Sequence, residues 1–154
     1  MDTQPKSNPI SGLSDLENVL NEYFGKKAPA MPESIKEIIV KFAPWITLIM
    51  MVMLIPAILL FLGVGAFVMP FSYLGGVTAG FSYTVTFIFS LVMIVLEVMA
   101  LPGLFKRARS AWKLLFYISL ISAVENVLLF NLGGLVIGSL ISFYVLFQVR
   151  ELYK

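Results

Sequence analysis

Apolar positions fall into two long runs with almost no charge. From Phe42 to Phe105 the only formally charged residue is Glu97, and from Leu114 to Val149 the only one is Glu125. A membrane-crossing helix needs about 20 mainly apolar residues to span about 30 Å of hydrocarbon. The first run is long enough for two such helices and a connection. The pattern predicts one helix over about 43–67, opened by Pro44 and kinked by Pro56, and a second over about 81–101. Pro70, Gly75, Gly76 and Gly80 mark 68–80 as an uncharged loop or a segment dipping back into the membrane. The second run divides at Asn131-Leu132-Gly133-Gly134 into helices over about 111–130 and 135–152, joined as a tight antiparallel hairpin. The fold class is therefore all-α, an integral membrane protein with four transmembrane helices over residues 43–154.

Residues 1–42 read as an N-terminal cytoplasmic tail. Residues 1–13 are rich in Pro, Ser, Asn and Gln and predict disorder. Ser14-Asp15-Leu16-Glu17 fits a capping box, and Leu16, Val19, Leu20 and Tyr23 follow at helical spacing. This places an amphipathic helix over 14–24, ended by Gly25, with an extended linker over 26–32 after it. Pro32 opens a second amphipathic helix over 32–42, with Ile35, Ile38, Ile39 and Phe42 on one face. The favoured reading lays it on the inner leaflet before a turn at Pro44. The alternative is an extension of the first membrane helix, packed on the loop between helices two and three.

Composition agrees with the pattern. Of 154 residues, 59% are hydrophobic and 13% charged, against roughly half and a quarter in ordinary globular domains. Mean hydropathy is +0.92. The sequence contains no Cys and no His. Disulfides, thiolate or imidazole metal ligands and Ser-His or Cys-His nucleophilic pairs are thus excluded. The only Asp residues, Asp2 and Asp15, lie outside both apolar runs, so an intramembrane aspartyl pair is excluded as well. Non-enzymatic function is the expectation, with no cofactor and no metal.

All eleven Lys and Arg residues lie outside the two apolar runs. They precede the first helix, join the second to the third, or follow the fourth. The two opposite connections carry none. Basic residues stay in the cytoplasm, so both termini are placed there, in a multi-pass protein of the cytoplasmic membrane. Trp45 and Trp112 fall at that same interface, where indoles settle.

Several residues are candidates for function. Glu97 and Glu125 are acids within membrane helices, and such residues often mark ion or proton paths. They lie towards opposite faces. Glu97 is roughly 13 Å along a helix from Lys106, and Glu125 roughly 9 Å from the Asn131 turn. Ser119, Ser122 and Asn126 share one side of helix three beside Glu125, either as hydrogen-bonding glue between helices or as a water-lined path. Gly134, Gly138 and Ser142 form a small-residue ridge for close helix packing, within the chain or against another copy. Lys106, Arg107, Arg109 and Lys113 fit anionic lipid headgroups, or simply retain their loop in the cytoplasm. Nothing beyond this cluster points to nucleic acid.

Three stretches carry a resemblance: Val40-Lys41-Phe42-Ala43-Pro44-Trp45, the run from Leu101 to Tyr117, and the run from Phe143 to Lys154. They resemble a family of small four-helix membrane proteins of bacteria with reduced genomes. The resemblance implies a membrane location and a similar topology, and transfers no activity and no site residues. The leading expectation is a structural or assembly subunit of a membrane complex, with the lipid bilayer and a further copy or another membrane protein as partners. The alternative is a small channel or a proton- or cation-coupled transporter using Glu97 and Glu125.

Overall fold

Backbone hydrogen bonds in a lipid-like sequence must be met within the segment, and helices do this. The computed structural model describes residues 9–154. It is all-helical, with no strand among the described residues. The helices are α1 (Pro9–Leu20), α2 (Glu33–Ser72), α3 (Val77–Phe105), α4 (Arg109–Leu128) and α5 (Ser139–Gln148). Wider π-helical turns extend α1 over Asn21–Lys27 and precede α5 over Gly134–Gly138.

The N-terminal reading needs three corrections. Residues 9–13 are helical. The expected disorder of 1–8 lies outside the described residues. Ser14 falls inside α1 rather than capping it, and the Glu17 carboxylate reaches Arg150 and Arg109 instead of turning back. Helical turns also continue past Gly25 to Lys27.

The turn expected at Pro44 does not occur. One 40-residue helix, about 60 Å long, runs from Glu33 through Pro44, Pro56 and Pro70 to Ser72. The segment 32–42 is therefore an extension of the first membrane helix, not a separate element. Each proline removes one helical hydrogen bond, but contacts along both sides of Pro44 hold the axis. Glu37 pairs with Arg107 at 3.1 Å, Val40 is buried, and the Trp45 ring meets Phe105 edge-on at 5.3 Å.

The loop over 68–80 shrinks to a tight turn. A single 3-10 turn, Tyr73–Gly75, leads to Gly76 at φ 104°, a backbone angle that glycine adopts without strain. α3 then starts at Val77, directly after Gly76. Rungs at Phe61–Phe87, Tyr83 Oη donating to the Gly65 carbonyl, and Tyr73 with Thr84 show α2 and α3 antiparallel. No irregular segment longer than this turn separates the two helices.

α3 and α4 both end on a Schellman pattern with an unusual residue in the left-handed position. Arg107 (φ 51°) is bracketed by Ala108 N–H to Gly103 and its own N–H to Leu104. Phe130 (φ 54°) is bracketed by Asn131 N–H to Asn126 and its own N–H to Val127. The second hairpin thus turns at Leu129–Asn131, slightly before the predicted glycines. Asn131 starts the return helix, its Oδ1 accepting the Gly134 N–H at 3.0 Å.

α2 packs on α3, α3 on α4 and α4 on α5. Both hairpin turns lie at one end. The α3–α4 turn, α1 and the C-terminus meet at the other: Lys154 N–H bonds Arg107 at 2.9 Å, Arg109 N–H bonds Lys154 at 2.7 Å, and Glu17 of α1 pairs with Arg150. The main core sits there, built from Val40, Leu104, Ala111, Trp112, Phe116, Phe143, Leu146, Phe147, Val149 and Tyr153. Leu20, Phe24 and Ile39 pack against it. Towards the turns little is buried, and nearly all of Ile55–Gly75 is exposed. Ile55–Gly75, Val77–Phe105 and Arg109–Leu128 are long and apolar enough to cross a membrane, whereas the apolar helical stretch Gly134–Gln148 is shorter.

Candidate functional site

At the charged end, polar and aromatic side chains from α1, α4 and α5 converge. Trp112 is fully buried, and its Nε1–H donates to the Leu146 carbonyl at 2.8 Å. Phe116 stacks on it at 5.8 Å and Phe147 meets it edge-on at 5.3 Å. The indole is therefore a core pillar between α4 and α5, not an anchor in the lipid interface. Trp45, by contrast, is half exposed and suits that position.

Two guanidiniums lie over the same indole, Arg109 at 4.6 Å and Arg150 at 5.3 Å. Like charges at such spacing need an anion. Glu17 supplies it from α1, hydrogen-bonded to Arg150 and 3.6 Å from Arg109. Arg109 also donates to the Arg150 carbonyl at 2.9 Å. Arg107 is engaged with Glu37. Of the proposed headgroup cluster, Arg107 and Arg109 are thus committed within the chain. Lys106 and Lys113 remain exposed, with no acidic partner among the described residues.

The linker over 26–32 is docked rather than free. Gln148, buried in an apolar helix, donates to the Phe24 carbonyl at 2.8 Å and accepts the Met31 N–H at 3.0 Å. Tyr144 Oη donates to the Pro29 carbonyl at 2.8 Å. Gly25 lies beside α5, where a Cβ would meet the Asn21 Oδ1 at 2.6 Å and approach the Phe147 carbonyl.

The intramembrane polar candidates do not form one site. Asn126 belongs to the turn: its Nδ2 donates to the Ser122 carbonyl at 2.8 Å, and its Oδ1 accepts from Asn131 at 2.8 Å. Gly134 packs so closely there that a Cβ would collide with both asparagines. Ser119 donates to the Leu115 carbonyl at 3.0 Å and shares a groove of about 340 Å³ with Ser142, between α2, α4 and α5. Glu97 lines a separate groove of about 330 Å³ with Thr47, Met50, Leu115 and Ile118. Glu125 lies seven residues beyond Ile118 on the same helix, roughly 10 Å away. Glu125 does not line this groove. Of the glycine ridge, Gly134 packs within the chain while Gly138 faces open space.

Sequence reasoning gave Glu17 only a capping role and passed over Glu37, Arg150 and Gln148 as site residues. Gln148 alone carried a local signal, a lone amide inside an apolar run. Among the described residues no group of three metal-capable side chains gathers at one place. No known protein family, curated protein or solved structure matches the chain.

Proposed function

We propose that this chain is a non-enzymatic subunit of a membrane complex, crossing the cytoplasmic membrane four times with both termini inside. The observation that carries the reading is the fixed placement of α1. Glu17 is tied to Arg109 and Arg150 while Leu20 and Phe24 pack on the core. Leu13, Leu16, Val19 and Tyr23 of the same segment remain exposed. A tail with no role in contact would gain nothing from holding apolar side chains outward on a fixed cap. The partner is a second copy or another membrane protein, and the bilayer covers the spans.

The fourth crossing is the short one. Gly134–Gln148 covers about 22 Å of the required 30 Å, and the preceding Leu132 and Gly133 add one partial turn. α3, at about 43 Å, exceeds the hydrocarbon. A tilted hairpin of α2 and α3 beside a locally thinned bilayer at α5 accommodates both lengths.

Affinity capture in mild detergent tests the reading. Leu16→Ser combined with Val19→Ser leaves Glu17, Leu20 and Phe24 in place. The double variant is expected to lose partners, or copies of itself, that the wild-type chain retains. Identical partner lists and identical particle mass overturn the proposal.

A further inference from the structure

The groove that holds Glu97 is lined by Ile46, Thr47, Met50, Met51 and Ile58 of α2, with Ile94 of α3 and Leu115 and Ile118 of α4 completing its walls. Glu97 is its only charged side chain, and Thr47 the only other polar one. Among the described residues Glu97 has no ion-pair or hydrogen-bond partner. The nearest basic residue along its helix, Lys106, is nine residues away, roughly 13 Å. The arginines at that end are already taken by Glu17 and Glu37.

A lone carboxylate on an apolar wall at membrane depth is costly and asks for a counter-charge. The described residues supply none, and free inorganic cations would have to shed water to enter an apolar groove. A cation that carries its own apolar surface meets both demands. At about 330 Å³ the groove falls at the small end of ordinary ligand pockets, which run from about 300 to 1,000 Å³. Met50 and Met51 are flexible and polarizable, and mould to irregular apolar shapes. The α2 and α4 walls of the groove make little direct contact with each other, so widening it between them needs no helix to unfold.

We propose that this groove binds a lipophilic monocation, with Glu97 as its counter-ion and the side chains of α2, α3 and α4 as its apolar seat. Neither Glu125 nor the Glu17 cluster takes part.

Tetraphenylphosphonium and tetraphenylborate give a matched test, since they share size and shape and differ in sign. Equilibrium dialysis against the full chain in nanodiscs reads binding above empty nanodiscs. Tetraphenylphosphonium is expected to bind the wild type at least tenfold more tightly than Glu97→Gln, with Glu125→Gln like the wild type. Tetraphenylborate is expected to show no loss in Glu97→Gln. Ile58→Trp fills the groove and keeps the carboxylate, and it too is expected to weaken the cation at least tenfold. Equal cation affinity in the wild type and Glu97→Gln overturns the proposal, as does an equal loss in Glu125→Gln. Should Glu97→Gln fail to fold, unchanged binding by Ile58→Trp overturns it alone.

Discussion

Replacing Glu17 by Gln removes one charge from a three-charge cluster and leaves the shape nearly intact. The carboxylate side chain is 16% exposed, Arg150 21% and Arg109 33%, so water screens the cluster only in part. Breaking a fully buried pair typically destabilises by about 3–5 kcal/mol, while exposed pairs contribute about 0–1 kcal/mol. Partial burial places this case at about 2 kcal/mol. The variant also leaves Arg109 and Arg150 as unbalanced like charges over one indole. Gln retains an acceptor for Arg150, which keeps the effect from growing larger. The loss falls first on α1, whose docking also relies on Leu20 and Phe24. Hydrogen exchange by mass spectrometry on the chain in nanodiscs measures it locally. About 2 kcal/mol corresponds to roughly 30-fold faster exchange over residues 12–24, with α3 unchanged. The cycle with Arg150→Gln is expected to show coupling of about 1–3 kcal/mol. Unaltered exchange of α1 in Glu17→Gln, with no coupling to Arg150, refutes the idea that this cluster holds the helix.

Trp112→Phe keeps the ring stack but leaves the Leu146 carbonyl without the indole donor. A loss of about 1–3 kcal/mol is expected in detergent unfolding, and a loss under 0.5 kcal/mol contradicts the pillar role. Phe130 holds a left-handed angle while almost wholly exposed, so Phe130→Asn is expected to raise stability by about 1 kcal/mol; a drop in stability contradicts the turn geometry. Burial holds the Tyr153 phenol above its usual value, with Arg107 opposing in part. The neutral form is favoured by folding, so this contribution is full below the unfolded value near 10 and is lost as pH rises through the higher folded one. Melting scans from pH 8 to 11 are expected to fall more steeply for wild type than for Tyr153→Phe, and parallel curves contradict the assignment.

The membrane-length helices were legible because two long runs hold only Glu97 and Glu125. Charge placement also grouped the basic residues on one side, and the structure brings Arg107, Arg109, Arg150 and Lys154 together at the α3–α4 turn. What the sequence concealed is tertiary. Glu17, Arg109 and Arg150 lie far apart along the chain, and no periodicity links them. Trp112 sits at a boundary that suits a lipid anchor, and only the packing of Phe116, Phe147 and the two arginines shows it buried. Pro44 carries the same local signal at a helix start as inside a helix. The contacts of Glu37, Val40 and Trp45 with the α3 end decide for continuity. The polar residues of α4 share one face of the helix, but Ser119 bonds the Leu115 carbonyl and Asn126 bonds Ser122 and the Asn131 turn, so their hydrogen bonds are met locally.

Single-cysteine labelling in intact cells tests the four-crossing arrangement most directly, because the chain has no cysteine of its own. Leu74→Cys and Leu132→Cys place exposed thiols on the two hairpin turns, and Ser110→Cys places one beside the α3–α4 turn. A membrane-impermeant maleimide is expected to label the first two from outside, and the third only after the cells are permeabilised. External labelling at Ser110→Cys would reverse the orientation. Labelling at Leu74→Cys with protection at Leu132→Cys would contradict four crossings, because α4 and α5 would then fail to reach the outer face.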